Sequence, residues 1–277
     1  MNNQEKNVHN KVDLDDIVKN FRLTGIPKLL SGGQGLSYLC GNTVIKPVDD
    51  AEESTWTASV FFNLSSIFLR IPKPVRATDG NWIYKGWCAY SFIDDETTKK
   101  RWSEKINVGR EFHSLLQDTE KPSFLEKRTH PWAIADKMVW GESKLKYSKA
   151  LAPVVSRLLP FVQEITLPSQ IIHGDLSGNI LFHLDLKPGV IDFSPYWRPA
   201  EYATAIIIVD SMVWEHAPID LLNEMPDTEQ MNQLLIRAAL WRIITTEQCS
   251  IQFGAGNIDD VLAYQPFIDE LQKRKNI

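Results

Sequence analysis

The character of this chain changes once, near residues 91–97, and that single change restricts the folds open to it. Before it, short β-type runs alternate with glycine and Asp/Asn turns; after it, apolar residues recur at helical spacing. Within the first part, IPKLLSGGQGLSYLCGNTVIKPV reads as three antiparallel strands near 26–31, 36–40 and 43–48, with turns at Gly32-Gly33-Gln34-Gly35 and Gly41-Asn42. Leu14, Ile17, Val18 and Phe21 precede them at the spacing of a short amphipathic helix. A second helical run follows Asp49, Asp50, Glu52 and Glu53. Residues 70–93 return to strand character around a turn at Asp79-Gly80-Asn81. The second part predicts helices over 97–117, 137–165, 199–215, 227–248 and 258–274, with Leu234, Leu235, Ala238, Ala239, Trp241 and Ile244 forming one buried stripe. The expectation is an α+β chain of two lobes. An N-terminal lobe, residues 1–93, has a small antiparallel sheet and one main helix; a larger, mainly helical lobe spans 94–277.

A chain of 277 residues has enough length for such an organisation. Its hydrophobic fraction of 43% and charged fraction of 23% are those of a globular protein with a core that needs no covalent staples. Cys40, Cys88 and Cys249 are few, odd in number and far apart, which argues against a disulfide framework or a zinc site and for a reducing, cytoplasmic setting. The polar N-terminus has no signal-peptide core, and no apolar run is long enough to span a bilayer. A formal charge of -5 argues against a nucleic-acid partner.

Two stretches carry chemistry. In SGGQG, Gly32, Gly33 and Gly35 lack the Cβ that would keep backbone N–H groups away from a polyphosphate, and Lys46 follows directly inside an apolar strand. An inward lysine needs a carboxylate, which Glu52 or Glu53 could supply from the first turn of the next helix; Glu53 is the one chosen here. Acidic side chains there would equally complement the helix dipole. The other stretch is IIHGDLSGNILFHLDLKPGVIDFSPYWRP, residues 171–199. A hairpin around Lys187-Pro188-Gly189 would bring Asn179 and Asp192 toward one end of a strand pair, with Asp175 in the loop before it. Converging oxygen donors beside a phosphate loop are what magnesium-assisted phosphoryl transfer requires.

On H-G-D followed by Asn179 and by the Ile191-Asp192 pair, the chain resembles the protein-kinase-like superfamily, specifically its aminoglycoside phosphotransferase and choline kinase branch. The resemblance implies ATP and Mg²⁺ as cofactors and a small-molecule hydroxyl as acceptor. It implies Asp175 as catalytic base, His173 as a hydrogen-bonded brace of the loop, and Asn179 and Asp192 as metal ligands. Lys46 would hold the α and β phosphates, and the connector from Tyr90 through Phe92 and Ile93 would present backbone to adenine.

The chain also departs from the pattern that it resembles. Three residues rather than four separate Asp175 from Asn179, Ser194 stands where a glycine is usual, and the customary acid of the following helix has only Glu201 and Asp210 as candidates. The short distance from Asp192 to Pro199 leaves no room for an extended activation loop, which favours a small acceptor over a protein. Trp197 is the aromatic candidate for the acceptor site, and Arg198 is either a phosphate ligand or a surface ion pair. Asp220, Glu224, Asp227, Asp259 and Asp260 could attract a cationic amino sugar. A nucleotide-binding scaffold without transfer, and adenylyl transfer, are the alternatives.

Overall fold

The computed structural model describes residues 14–30, 35–95 and 100–274. The turn residues Gly32 and Gly33 lie outside them. The described chain forms two compact units: one runs to Asp94 apart from Ile67–Leu69, and the other takes those three residues and the chain from Asp95 onward.

The first unit is a five-stranded antiparallel sheet of β1 (Lys28–Leu29), β2 (Tyr38–Cys40), β3 (Thr43–Pro47), β4 (Ile83–Tyr84) and β5 (Trp87–Ser91), in the order β1-β2-β3-β5-β4. Helix α1 (Leu14–Asn20) precedes it and α2 (Ala51–Asn63) follows β3. The Asp50 carboxylate caps α2 by accepting the Glu53 N–H at 2.8 Å, satisfying one of the donors that a helix start leaves open. Ile17 of α1 and Phe21 just after it pack with Ile45, Ala77 and Ala89 to form the core of this unit.

Its tightest hairpin is not at Asp79-Gly80-Asn81. That segment is a loop turn, closed by the Asn81 N–H on Asp79 Oδ1. The hairpin joins β4 to β5 through Lys85 and Gly86, with Ile83 opposite Cys88 and Tyr84 opposite Trp87. Both loop residues have positive φ, 47° and 77°, as a two-residue turn matched to strand twist requires; glycine takes the second at no cost.

The second unit is mainly helical. It contains α3 (Trp102–Ser114), α4 (Phe124–Lys127), α5 (Pro131–Val139), α6 (Ala152–Val155), α7 (Ala200–Trp214), α8 (Glu229–Phe253) and α9 (Gln265–Leu271). Helix α8 runs from its Thr228 cap to Gly254, whose φ of 62° ends it in the left-handed region. Helix α7 is buried continuously from Tyr202 to Ser211 and packs against α3 and α8, and α5 also packs against α8. The helix expected over 137–165 does not form. Helix α5 ends at Val139 before Gly141, which has φ 75°, and Pro153 and Pro160 confine the remainder to α6 and a short 3-10 turn at Leu159–Phe161.

Two short strand pairs interrupt the helices. β7 (Ile180–Leu181) pairs antiparallel with β8 (Gly189–Val190), and β6 (Gln170–His173) pairs with β9 (Pro195–Arg198). The short span between Asp192 and the helix that begins at Ala200, as expected near Pro199, holds a strand that the sequence reading did not include, its proline placed at the first position, where the missing N–H is tolerated. No helix among the described residues is long and apolar enough to cross a membrane.

Candidate active site

Strand β6 delivers His173 into the core and Asp175 to the surface within three residues. The His173 side chain is fully buried. Its Nδ1 accepts the Asp175 N–H at 3.1 Å, so the ring proton sits on Nε2, which donates to the Ile191 carbonyl at 3.1 Å. One imidazole thereby ties the loop carrying Asp175 to the segment carrying Asp192. The His173 N–H in turn donates to His113 Nε2 of α3 at 3.0 Å. Burial pulls the His173 pKa down to about 4 and that of His113 to about 3, so both rings are neutral.

Gly174 lets this loop lie against aromatic rings. A Cβ there would stand 2.5 Å from Tyr196 Cδ2 and 3.2 Å from the Trp241 ring. Its N–H donates to Ser194 O at 2.9 Å. Ser194 is not among the residues with positive φ, so the conformational freedom of the usual glycine is not needed at this position.

The Asn179 carbonyl accepts the Ile191 N–H at 3.0 Å, which extends the β7–β8 ladder by one bond and sets Asn179 and Asp192 at the same end of the hairpin. Asp192 is exposed and holds a left-handed φ of 47°, a conformation that L-residues adopt sparingly and that aspartate tolerates better than most. The shortened loop closes as a single turn. Asn179 Nδ2 donates to Asp175 O at 2.6 Å and lies 3.5 Å from Asp175 Oδ2.

With its nitrogen so used, Asn179 keeps Oδ1 as an acceptor. That oxygen and the exposed carboxylate of Asp192 are hard donors, the partial set that suits Mg²⁺, a cation that fills its remaining positions with phosphate oxygens and water. Among the described residues no group of three or more His, Cys, Asp or Glu side chains is placed to hold a metal unaided. The residues fit a magnesium ion that draws its remaining ligands from outside the protein.

In the first unit, Lys46 lies on β3 with its Nζ 5.8 Å from the centre of the Tyr90 ring. Glu53 stands in the first turn of α2, and Gly35 has φ 68° just before β2. Phe92 and Ile93 follow β5, where the Phe92 N–H donates to Asn42 O at 2.9 Å and the Ile93 side chain is buried.

No protein-family model matches the sequence, and no curated protein matches it either. Solved structures do match. The aminoglycoside phosphotransferase APH(4)-Ia is similar with a TM-score of 0.61 at 15% identity, over 95% of this chain and 98% of its own. Spectinomycin phosphotransferase APH(9)-Ia, solved with ADP and spectinomycin, gives 0.59 at 13% identity over 95% and 98%. A choline/ethanolamine kinase family protein from Mesorhizobium loti gives 0.58 at 13% over 95% of each chain. The fold is protein-kinase-like.

On this kinase-like fold the sequence left one close neighbour of Asp175 unread. Arg242 of α8 donates from Nη2 to Asp175 Oδ1 at 2.9 Å, and from Nε and Nη2 to Asp210 of α7 at 2.9 and 2.6 Å. Burial alone would disfavour charge on Arg242, but Asp210 and then Asp175 more than offset it and raise the guanidinium pKa. Asp210, one of two candidates for the helix acid, is thus engaged with Arg242; Glu201, the other, is exposed. An arginine and an aspartate within α7 and α8, two largely buried helices, were the signal for this pair, since buried charges require partners.

Arg198 is neither a phosphate ligand nor a surface pair. It is buried on β9, forks onto Asp136 of α5 and reaches Glu142 at 2.7 Å. Trp197 is half-buried beside it, opposite Ile171. Of the acids read as attractive to a cation, Glu224 faces Arg110 at 3.4 Å, Asp227 accepts from Asn232 at 2.8 Å, and Asp260 from Asn257 at 3.2 Å.

Proposed function

We propose that the protein transfers the γ-phosphoryl group of ATP to a hydroxyl of a small molecule. The observation that carries this reading is the placement of Asp175, Asn179 and Asp192 on two segments tied by one neutral histidine, in a kinase-like fold. Asp175 is exposed and sits where it can accept a proton from the acceptor hydroxyl. As that proton leaves, the hydroxyl oxygen bonds to the γ-phosphorus, the bond from phosphorus to the bridging oxygen breaks, and ADP departs. Asn179 and Asp192 hold the cation, which when bound neutralises charge on the phosphates. Lys46 holds the α and β phosphates, Glu53 steadies Lys46, and the backbone of Phe92 and Ile93 meets adenine. The span from Asp192 to α7 is occupied by β9, which leaves no extended segment along which a protein substrate could dock and supports a small acceptor. That APH(9)-Ia, similar in fold, was solved with ADP and spectinomycin supports a nucleotide and a small acceptor as the pair of ligands.

The test is release of ADP from Mg-ATP across a panel of hydroxylated metabolites and aminoglycosides. Asp192→Ala is expected to abolish magnesium-dependent turnover without unfolding the protein. Asp175→Asn is expected to lower the transfer rate by roughly 100-fold or more while nucleotide still binds, the usual cost of losing a general base. Nucleotide binding with no turnover on any acceptor would move the assignment to a nucleotide-binding scaffold.

A further inference from the structure

We infer that Arg242, held by Asp210, is a positioning residue that fixes the carboxylate of Asp175. The inference rests on the phosphotransferase reading, because it assigns a purpose to the aim of Asp175. An exposed aspartate swings freely, its terminal torsion being broad. The Asp175 side chain is 55% exposed, yet its Oδ1 is fixed by the Arg242 guanidinium. That guanidinium cannot follow the loop. It is only 12% exposed, Asp210 grips it through two hydrogen bonds and is equally buried, and its carbon lies 4.7 Å from the centre of the Trp241 ring. Asp210 belongs to α7 and Arg242 to α8, which pack on each other, so the clamp is referenced to the helical core rather than to the loop. With Oδ1 engaged, Oδ2 is the oxygen left beside Asn179, at 3.5 Å, to receive the acceptor proton.

The arrangement also answers a problem of charge. Asp175 and Asp210 would repel one another across a small distance, and would jointly repel an incoming polyphosphate. The intervening guanidinium cancels one of the two charges. Lysine could do that as a point charge, whereas holding two carboxylates in fixed directions needs the planar fork of arginine. The two roles therefore separate experimentally.

Arg242→Lys keeps a cation against buried Asp210 and so protects folding. It is expected to lower kcat by roughly 10- to 100-fold, the scale set by a misplaced reacting group, with KM for ATP changed less than about twofold. The same substitution placed in Asp175→Asn should cost nothing further, because the residue it positions is already gone. Asp210→Asn, which retains shape, should fall between wild type and Arg242→Lys. Equal losses in the wild-type and Asp175→Asn backgrounds, or a loss confined to KM, would overturn the inference and leave Arg242 as the partner of Asp210 alone. If the wild-type protein shows no turnover at all, it is the phosphotransferase reading that fails. Positioning is then read from crystal structures, in which one Asp175 rotamer is expected in the wild type and several in Arg242→Lys; an identical single rotamer in both would sink it.

Discussion

A methyl group at position 174 has nowhere to go. Tyr196 and Trp241, whose rings meet edge to face with centres 5.1 Å apart, occupy the space that a Cβ would enter, and both are buried. Gly174→Ala is therefore expected to destabilise the protein by about 1–3 kcal/mol, the range for overpacking a filled interior, and to shift the urea midpoint downward at constant slope. An unchanged midpoint would mean that the loop moves aside at no cost. At this scale the sequence shows residue types and spacing but not approach. Asp175, Asn179 and Asp192 are readable because oxygen-bearing side chains are gathered within one short, otherwise apolar stretch. The closeness of Gly174 to two rings is not readable, nor is the reach of Arg242 across 67 residues to Asp175, because long-range partners leave no local pattern.

Elements show where local pattern suffices and where it fails. The sheet strands and the helices α7 and α8 follow from alternation and from apolar periodicity. The failures share one cause, in that short-range punctuation overrides periodicity: Gly141, Pro153 and Pro160 cut the helix expected over 137–165, and Lys85-Gly86 rather than Asp79-Gly80-Asn81 makes the hairpin. Strand β9 escaped notice because its four residues carry little pattern and its pairing with β6 is a tertiary matter. What secures β9 is ionic as well as ladder-like. Arg198 joins it to Asp136 on α5, and Arg128 donates to the Pro195 carbonyl at 2.6 Å. Asp136→Ala would leave a buried guanidinium facing a cavity, its one remaining carboxylate partner being the half-exposed Glu142. The expected cost is about 3–5 kcal/mol. Replacing Asp136 and Arg198 together by apolar residues of similar volume should recover most of it, and calorimetry on the single and double variants distinguishes a charge effect from a packing effect.

For the molecule as a whole, the histidines that burial keeps neutral, His113, His173 and the partly buried His130, make stability depend on pH in one direction. His113 and His173 titrate near 3 and 4 when folded, against about 6.5 in an unfolded chain. Their contribution is present in full above about pH 6.5 and is lost as pH falls, because the unfolded state takes up protons that the folded state refuses. Each histidine then costs up to roughly 1.4 kcal/mol per pH unit, so at pH 5 the pair removes on the order of 4 kcal/mol, a large share of a typical domain's 5–15 kcal/mol. Both residues lie in the second unit, whereas the described part of the first contains no histidine and has its own core around Ile17, Phe21 and Ile45. Mild acid should accordingly loosen the second unit while sparing the first. Hydrogen exchange compared at pH 7.5 and 5.5, after correction for intrinsic rates, should show protection falling across α3, α7 and α8 and holding in β3 and β5. His113→Gln keeps an acceptor for the His173 N–H but cannot titrate, so it should make the pH dependence of the second unit shallower by about a third, because His173 and His130, which burial also holds down to about 4, still titrate. A decline that remained as steep in that variant would assign the acid sensitivity to other groups.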